Sequence, residues 1–425
     1  MTSGREWLSR LNYVGSLNLS RRRAAFYYAV AVAQALWCAA FIYTVVDIIP
    51  NAIYWLSYYA ANYDAGFVRR GLAGELIEIF PPSDYFVVAR SLMTLSVGLY
   101  LVALLVLIRQ VLNSGRRSER RVVVSLLIPV MPCAASFALM GPRPEFVAAS
   151  AFLVFIVALT RLTDVRLIVA TSACYGVFIA IMAFVHEAIA IEFILGAVLS
   201  IEVLARLDRA VTRWWCIGLA TVPGLASLAV ISVFGRRDLG PQICKSIPHQ
   251  AMQNTFKVPP DKLLDYANGR FVSVADYHDW VCRYIVPTFN DNVEQAMHSV
   301  WNIGLPLLAG GFIHGMLVCV VTIVLVAYFT AVPVREFLRS IRGGLLAPAL
   351  ALAMMIPVFA TGVDWIRWWA IITINIVFVY LMFAASRPEM DGSVSRKQLK
   401  VFIGVALFLA CVPLAGTAGY SSGFS

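Results

Sequence analysis

The chain has 425 residues, 60% of them apolar and only 14% charged, with a mean hydropathy of +0.78. A soluble chain of this length would divide into two or three domains, but this composition excludes a water-soluble fold and requires a membrane. The formal charge of +10 does not point to nucleic acid, because the cations lie in short clusters between apolar runs rather than in one basic domain.

The first run, residues 24–49, follows Arg21, Arg22 and Arg23. It is longer than a signal-peptide core and no small-residue cleavage site closes it, so it is expected to be a retained first span with a cytoplasmic N-terminus. Further runs lie near 86–109, 122–140, 146–160, 167–184, 188–205, 214–234, 303–330, 344–361, 367–385 and 400–417. Residues 122–160 and 167–205 are each nearly 40 residues long, or roughly 60 Å of helix, which is twice the hydrocarbon core. Each must fold back, at "GPRPE" (141–145) with its two prolines and at "VHEA" (185–188). The expected fold class is all-α: a polytopic transmembrane helical bundle of about 11 spans. Seven spans occupy 1–235, four occupy 301–425, and residues 236–300 form an extracytoplasmic loop domain of short helices.

Lysine and arginine counts set the orientation. With the N-terminus inside, 22 of the 34 basic residues fall in six inner segments: 1–23, 109–121, 161–166, 206–213, 335–342 and 387–400. The odd number of spans then places the C-terminal "GYSSGFS" outside. Of the eight cysteines, six lie in apolar runs and behave as small hydrophobes. Cys244 and Cys282 alone occupy a polar segment, and an external location admits a disulfide between them.

Charge is scarce in this chain, yet "NYDAGFVRRGLAGEL" (62–76) in the first outer loop, 50–85, carries Asp64, Arg69, Arg70 and Glu75. The other short outer junctions are "GPRPEF" with Arg143 and Glu145, "FVHEAI" with His186 and Glu187, and "GVDWIRWW" with Asp364 and Arg367. Each has an ordinary structural explanation. Trp365, Trp368 and Trp369 suit an interfacial belt, Glu187 and Asp364 suit helix N-termini, and Arg143 with Glu145 suits a surface ion pair. "RRGLAGELIEIF" suits an interfacial amphipathic helix. Taken together, however, they gather costly charge on one face of the membrane, which points to a shared site. Arginine forks fit phosphate or diphosphate oxygens, and the carboxylates fit proton transfer. His186 fits proton relay or a simple cap. No HExxH is present, since "HEAIAIE" offers only His186, Glu187 and Glu192, a weak zinc signal; no cofactor is expected, and a divalent metal is left open without being indicated. Tyr277, Trp280 and Tyr284 fit either sugar stacking or the small core of the loop domain.

An enzyme outside the membrane has no nucleotide supply, so its activated donor must arrive in the bilayer. A polyprenyl-(di)phosphate-linked sugar meets that need. The first loop with Asp64 resembles that of the C-type membrane glycosyltransferases, in which the loop after the first span carries an acidic catalytic residue. The outer arginines resemble those of bacterial O-antigen and exopolysaccharide polymerases, which handle a lipid diphosphate. The resemblance implies a glycosyl-transferring enzyme of the bacterial inner membrane, acting at its outer face within the lipid bilayer and alongside a glycan-assembly complex. Asp64 would be the base, with Glu187 and Asp364 as alternates and His186 assisting. Arg69, Arg70, Arg143 and Arg367 would hold the phosphate, with Glu145 beside them. The alternatives are a transporter or flippase for a lipid-linked or anionic solute, and a non-catalytic scaffold. A transporter would be expected to carry midplane charges or paired Gly/Pro-broken helices.

Overall fold

Within its described residues, 17, 19–44 and 52–412, the computed structural model places helix in each of the eleven apolar runs. The remainder of the N-terminal segment and "GYSSGFS", the two ends expected on opposite sides of the membrane, lie outside the described residues. In chain order the helices are α1 (Arg21–Tyr43), α2 (Pro82–Asn113), α3 (Glu119–Met140), α4 (Glu145–Arg161), α5 (Val165–Ala183), α6 (Ile194–Val203), α7 (Ala210–Phe234), α8 (Leu305–Thr330), α9 (Leu346–Thr361), α10 (Trp365–Ala385) and α11 (Arg396–Cys411). Helix accounts for 76% of the structure, so the all-α class holds. Seven of these helices are long and apolar enough to cross a membrane: α1, α2, α3, α5, α7, α8 and α10. The other four runs form shorter helices, and α6 is preceded by a separate turn of helix, Ile189–Glu192.

The arrangement inverts that of a soluble bundle. α10 is buried on nearly every side, packed against α8, α6 and α4, whereas α1 is almost bare of neighbours. The outward faces are apolar: Val87, Leu95, Val102 and Leu105 on α2, and Val320, Val321 and Val324 on α8, are all exposed. Only a hydrocarbon solvent makes such a surface stable, and in it helix backbones satisfy their own hydrogen bonds. Lipid supplies little drive for helices to associate, so close packing must supply it. α5 and α7 run against each other along their length, and Gly176 lets them touch: a Cβ there would stand 1.9 Å from the carbonyl oxygen of Leu219.

One end of the bundle is tied by charge. Glu119 accepts from Arg23 at 2.9 Å, the Tyr27 hydroxyl at 2.7 Å and the Val394 amide at 3.0 Å. Arg121, fully buried, pairs with Asp391 at 2.9 Å and donates to the carbonyls of Val111 and Ala385. Glu202 accepts from the Gly343 amide and pairs with Arg213. The basic segments between spans therefore double as clamps.

Residues 236–300 form a small layer at the opposite end. Its short helices surround a two-stranded antiparallel ribbon in which Ala251 pairs with Asp276 and Gln253 with Val274, and a disulfide joins Cys244 to Cys282. Tyr277 and Trp280 are buried where this layer meets the helices, Tyr277 against Tyr85 and Phe86 and Trp280 against Tyr54, which leaves Tyr284 as the one of the three candidate stacking aromatics that reaches the cavity described below.

Gly176→Ala should force α5 and α7 apart and destabilise the protein by about 1–3 kcal/mol, the usual cost of overpacking. Gly218→Ala in α7, where a Cβ meets open space, should not lower the thermal midpoint in detergent and should raise it slightly, since alanine is the better helix former.

Candidate functional site

The hairpin after α5 unwinds instead of turning sharply. The helix ends at Ala183, one turn of helix forms at Ile189–Glu192, and the chain breaks again at Phe193 (φ −107°, ψ 6°) before α6 begins. Irregular backbone at the edge of a membrane persists only against protein or a wet cavity. Here it presents His186 and Glu187 to the first outer loop. That loop turns at Tyr63–Gly66, passes through Arg70 in a left-handed conformation (φ 64°), and enters the short helix Gly71–Glu78. The left-handed residue swings the Arg70 guanidinium onto Glu187. Its Nε donates to Oε2 and its Nη2 to Oε1, both at 2.8 Å, a two-pronged pairing. Arg69 reaches the same carboxylate at 3.4 Å, donates to the Thr288 carbonyl, and lies 5.5 Å from the Phe289 ring.

These side chains line a cavity of about 810 Å³. Arg143, Asp364 and Arg367 arrive there from the α3–α4 hairpin and the head of α10, and Tyr284 and Phe289 arrive from the loop domain. Tyr58 sits at the centre of the wall. Its hydroxyl accepts from Arg367 at 2.9 Å, its ring lies 5.9 Å from the Arg70 guanidinium and 5.6 Å from the His186 ring, and Trp55 stacks beside it. Arg367 also approaches Asp364 at 3.4 Å and Glu145 at 3.7 Å, and rests on the Trp368 ring at 3.9 Å. Arg143 is wedged between the rings of Trp55 (5.0 Å) and Phe137 (5.1 Å). Gly141 makes room for it, since a Cβ there would fall 2.4 Å from Arg143 Nη2. Arg143 is only 8% exposed, yet its Nε and Nη1 find no acceptor among the described residues.

Of the nine residues expected to act together, seven line this one cavity: Arg69, Arg70, Arg143, His186, Glu187, Asp364 and Arg367. Two do not. Asp64, the expected base, is exposed beyond the Tyr63–Gly66 turn, where its carboxylate keeps company with Asn62, Glu75 and Glu78. Glu145 stands behind the wall, buried, with Glu192 and His186 beside it. Sequence reasoning also passed over Tyr54, Trp55 and Tyr58, which "AIYWLSYY" supplies from one short helical stretch, and the lining residues Arg236, Arg237 and Asp291. The aromatic density of that stretch was the available signal.

The two residues of the unwound hairpin differ in protonation. Burial pushes the His186 imidazole down to about 4, so it is neutral. Burial would raise the Glu187 carboxyl, but Arg70 and Arg69 outweigh it and hold it well below the usual carboxylate range. Glu187 is thus a fixed anion that positions two arginines, and a poor proton acceptor.

A family model described as uncharacterised membrane protein Rv1490 matches residues 27–410, and the chain belongs to that family. It is similar, at 42% identity over 397 residues, to the uncharacterized proteins Rv1490 of Mycobacterium tuberculosis and Mb1527 of Mycobacterium bovis. The match covers 93% of this chain and 91% of each relative. No solved structure matches. Family membership establishes a membrane protein and carries no reaction with it.

Arg70→Ala and Glu187→Gln should each lower the thermal midpoint, and the double variant should cost less than the sum of the two. The expected coupling is at least about 1 kcal/mol, as for contacting groups in one network. Additive costs in a double-mutant cycle would break the proposed tie between the first loop and the hairpin.

Proposed function

We propose that this member of the Rv1490 family is a glycosyltransferase that takes a sugar or oligosaccharide from a polyprenyl-(di)phosphate carrier at the outer face of a bacterial inner membrane. The observation that carries the reading is Arg143. A buried guanidinium with unpartnered nitrogens is costly unless an anion completes it, and Arg143 faces the same cavity as Arg367, Arg69 and Arg70. Planar donors set around one hollow at the end of the bundle suit a phosphate whose lipid tail stays in the bilayer. The aromatic wall of Trp55, Tyr58 and Tyr284 suits the faces of sugar rings.

In this reading Asp364 replaces Asp64 as the base. It lines the cavity at the head of α10, and its Oδ1 has no hydrogen-bond partner among the described residues. The acceptor hydroxyl gives its proton to Asp364, its oxygen bonds to the anomeric carbon, and the bond from that carbon to the phosphate oxygen breaks. The phosphate leaves with the electron pair, its charge stabilised by Arg143 and Arg367. Glu187 keeps Arg69 and Arg70 aimed.

In nanodiscs, Arg143→Ala and Arg367→Ala should each weaken binding of a long-chain polyprenyl diphosphate by about tenfold or more, the worth of one charge-assisted hydrogen bond. Asp364→Asn should bind the diphosphate and fail to transfer sugar, while Asp64→Asn should do both. Binding indifferent to both arginines would sink the proposal. The orientation is checked separately in intact cells. A cysteine replacing Arg117 should resist an impermeant thiol reagent, and one replacing Asn268 should react. The opposite labelling would turn the cavity to the cytoplasm, where no external glycan can be built.

A further inference from the structure

Glu145, His186 and Glu192 come from the start of α4, the unwound hairpin and the turn of helix after it. Their ligand atoms lie within 4.8 Å of one another, and the three residues are 3%, 2% and 0% exposed. Residues 186 and 192 are six apart, a spacing that an unbroken helix would turn roughly 120° away from each other. The unwinding at 184–188 is what brings them to the same point. All four carboxylate oxygens and the His186 Nδ1 lack a hydrogen-bond partner among the described residues. The nearest cation to the set is Arg367, whose Nη1 is 3.7 Å from Glu145 Oε1, beyond hydrogen-bond reach.

Two buried carboxylates side by side are strongly unfavourable unless something positive sits between them. One shared proton would serve a single pair of oxygens and leave the remaining oxygens and the imidazole nitrogen unsatisfied. A divalent cation serves all three residues at once. Ligand atoms about 2.0–2.2 Å from a common ion stand roughly 3–4.4 Å apart, which the observed spacing reaches with a shift of a few tenths of an ångström. One imidazole with two carboxylates suits zinc or manganese better than calcium or magnesium, which prefer oxygen alone. We propose that Glu145, His186 and Glu192 bind a divalent transition-metal ion, zinc or manganese, behind the arginine wall, with open coordination positions toward the cavity that His186 lines. This goes beyond the glycosyl-transfer reading and is tested without any lipid-linked ligand.

The test is a titration of the purified full chain in nanodiscs with MnCl2, followed by the electron paramagnetic resonance of free ion, and with ZnCl2 against a chromophoric chelator. The background carries His249→Ala and His278→Ala. These remove the partly exposed His249–Asp276–His278–Asp279 group of the loop domain, the other metal-like cluster with histidine among the described residues. One equivalent of either ion should bind, and adding EDTA should lower the thermal midpoint. Glu192→Gln and His186→Ala should each weaken binding at least about tenfold, as expected when a ligand is lost. Asp64→Asn should change nothing. Should Glu192→Gln fail to fold, Glu192→Asp keeps the charge but withdraws the carboxylate by one methylene, with the same loss expected. Less than one equivalent bound in this background, or binding that survives both substitutions, overturns the assignment.

Discussion

A carboxylate at the end of a membrane span has to find its cations within the protein, and Glu187 finds two. Its two-pronged pairing with Arg70, reinforced by Arg69, fixes the first outer loop against the hairpin that follows α5. Three consequences follow from that one contact. It brings "AIYWLSYY" over the hairpin as the aromatic wall, it aims two arginines at the hollow, and it holds the hairpin unwound so that His186 faces Glu145 and Glu192. Without the anion, two guanidiniums would stand side by side in a partly buried place with nothing to offset their repulsion.

The two ends of the bundle handle charge in opposite ways. At the end built by residues 109–121, 202–213 and 335–395, the fully buried ions Glu119, Arg121 and Glu202 are satisfied, and the atoms left without hydrogen-bond partners belong to the half-buried Arg120, Arg213, Arg387 and Glu389. Glu119 accepts three donors, Arg121 spends its donors on Asp391 and on carbonyls, and Glu202 takes an amide as well as Arg213. At the cavity end, Arg143, Glu145, His186, Glu192 and Asp364 all retain polar atoms without partners. Buried polar groups in a finished core are paired, so this concentration of unpaired groups separates a site from a scaffold more sharply than the number of charges does.

How much of this was legible in the sequence depended on whether the governing force acts locally. Run length against bilayer thickness located all eleven helices, and two prolines located the α3–α4 turn, because both arguments concern neighbours along the chain. Positive-inside counting grouped the short acidic and basic junctions on one side, and seven of their nine named residues meet in the cavity. Asp64 fails for a reason no pattern displays: a turn at Tyr63–Gly66 sends it outward, while left-handed Arg70 sends the next charges inward. The Glu145–His186–Glu192 group was hidden twice over, once because its members are up to 47 positions apart and once because two of them share a face only after the helix between them unwinds.

That unwinding also bears on transport, since interrupted helices at a polar site are a transporter's device. What alternating access needs in addition is a path to the other end, and the packing opposes one. The cavity ends at the head of α10, below which residues 370–385 are buried almost without interruption among α4, α6 and α8. Opening a passage would mean parting α10 from helices that hold it on every side, then breaking the Arg121 contacts to Asp391 and the Ala385 carbonyl that close the far end. The polar side chains of residues 370–385 are Thr373, Asn375 and Tyr380, and each is already engaged: Thr373 with the Trp369 carbonyl, Asn375 with those of Glu192 and Ile371, and Tyr380 with that of Val332. A blind, arginine-walled hollow at one surface favours a ligand that enters and leaves from the same side, as a lipid-borne donor and its spent carrier would.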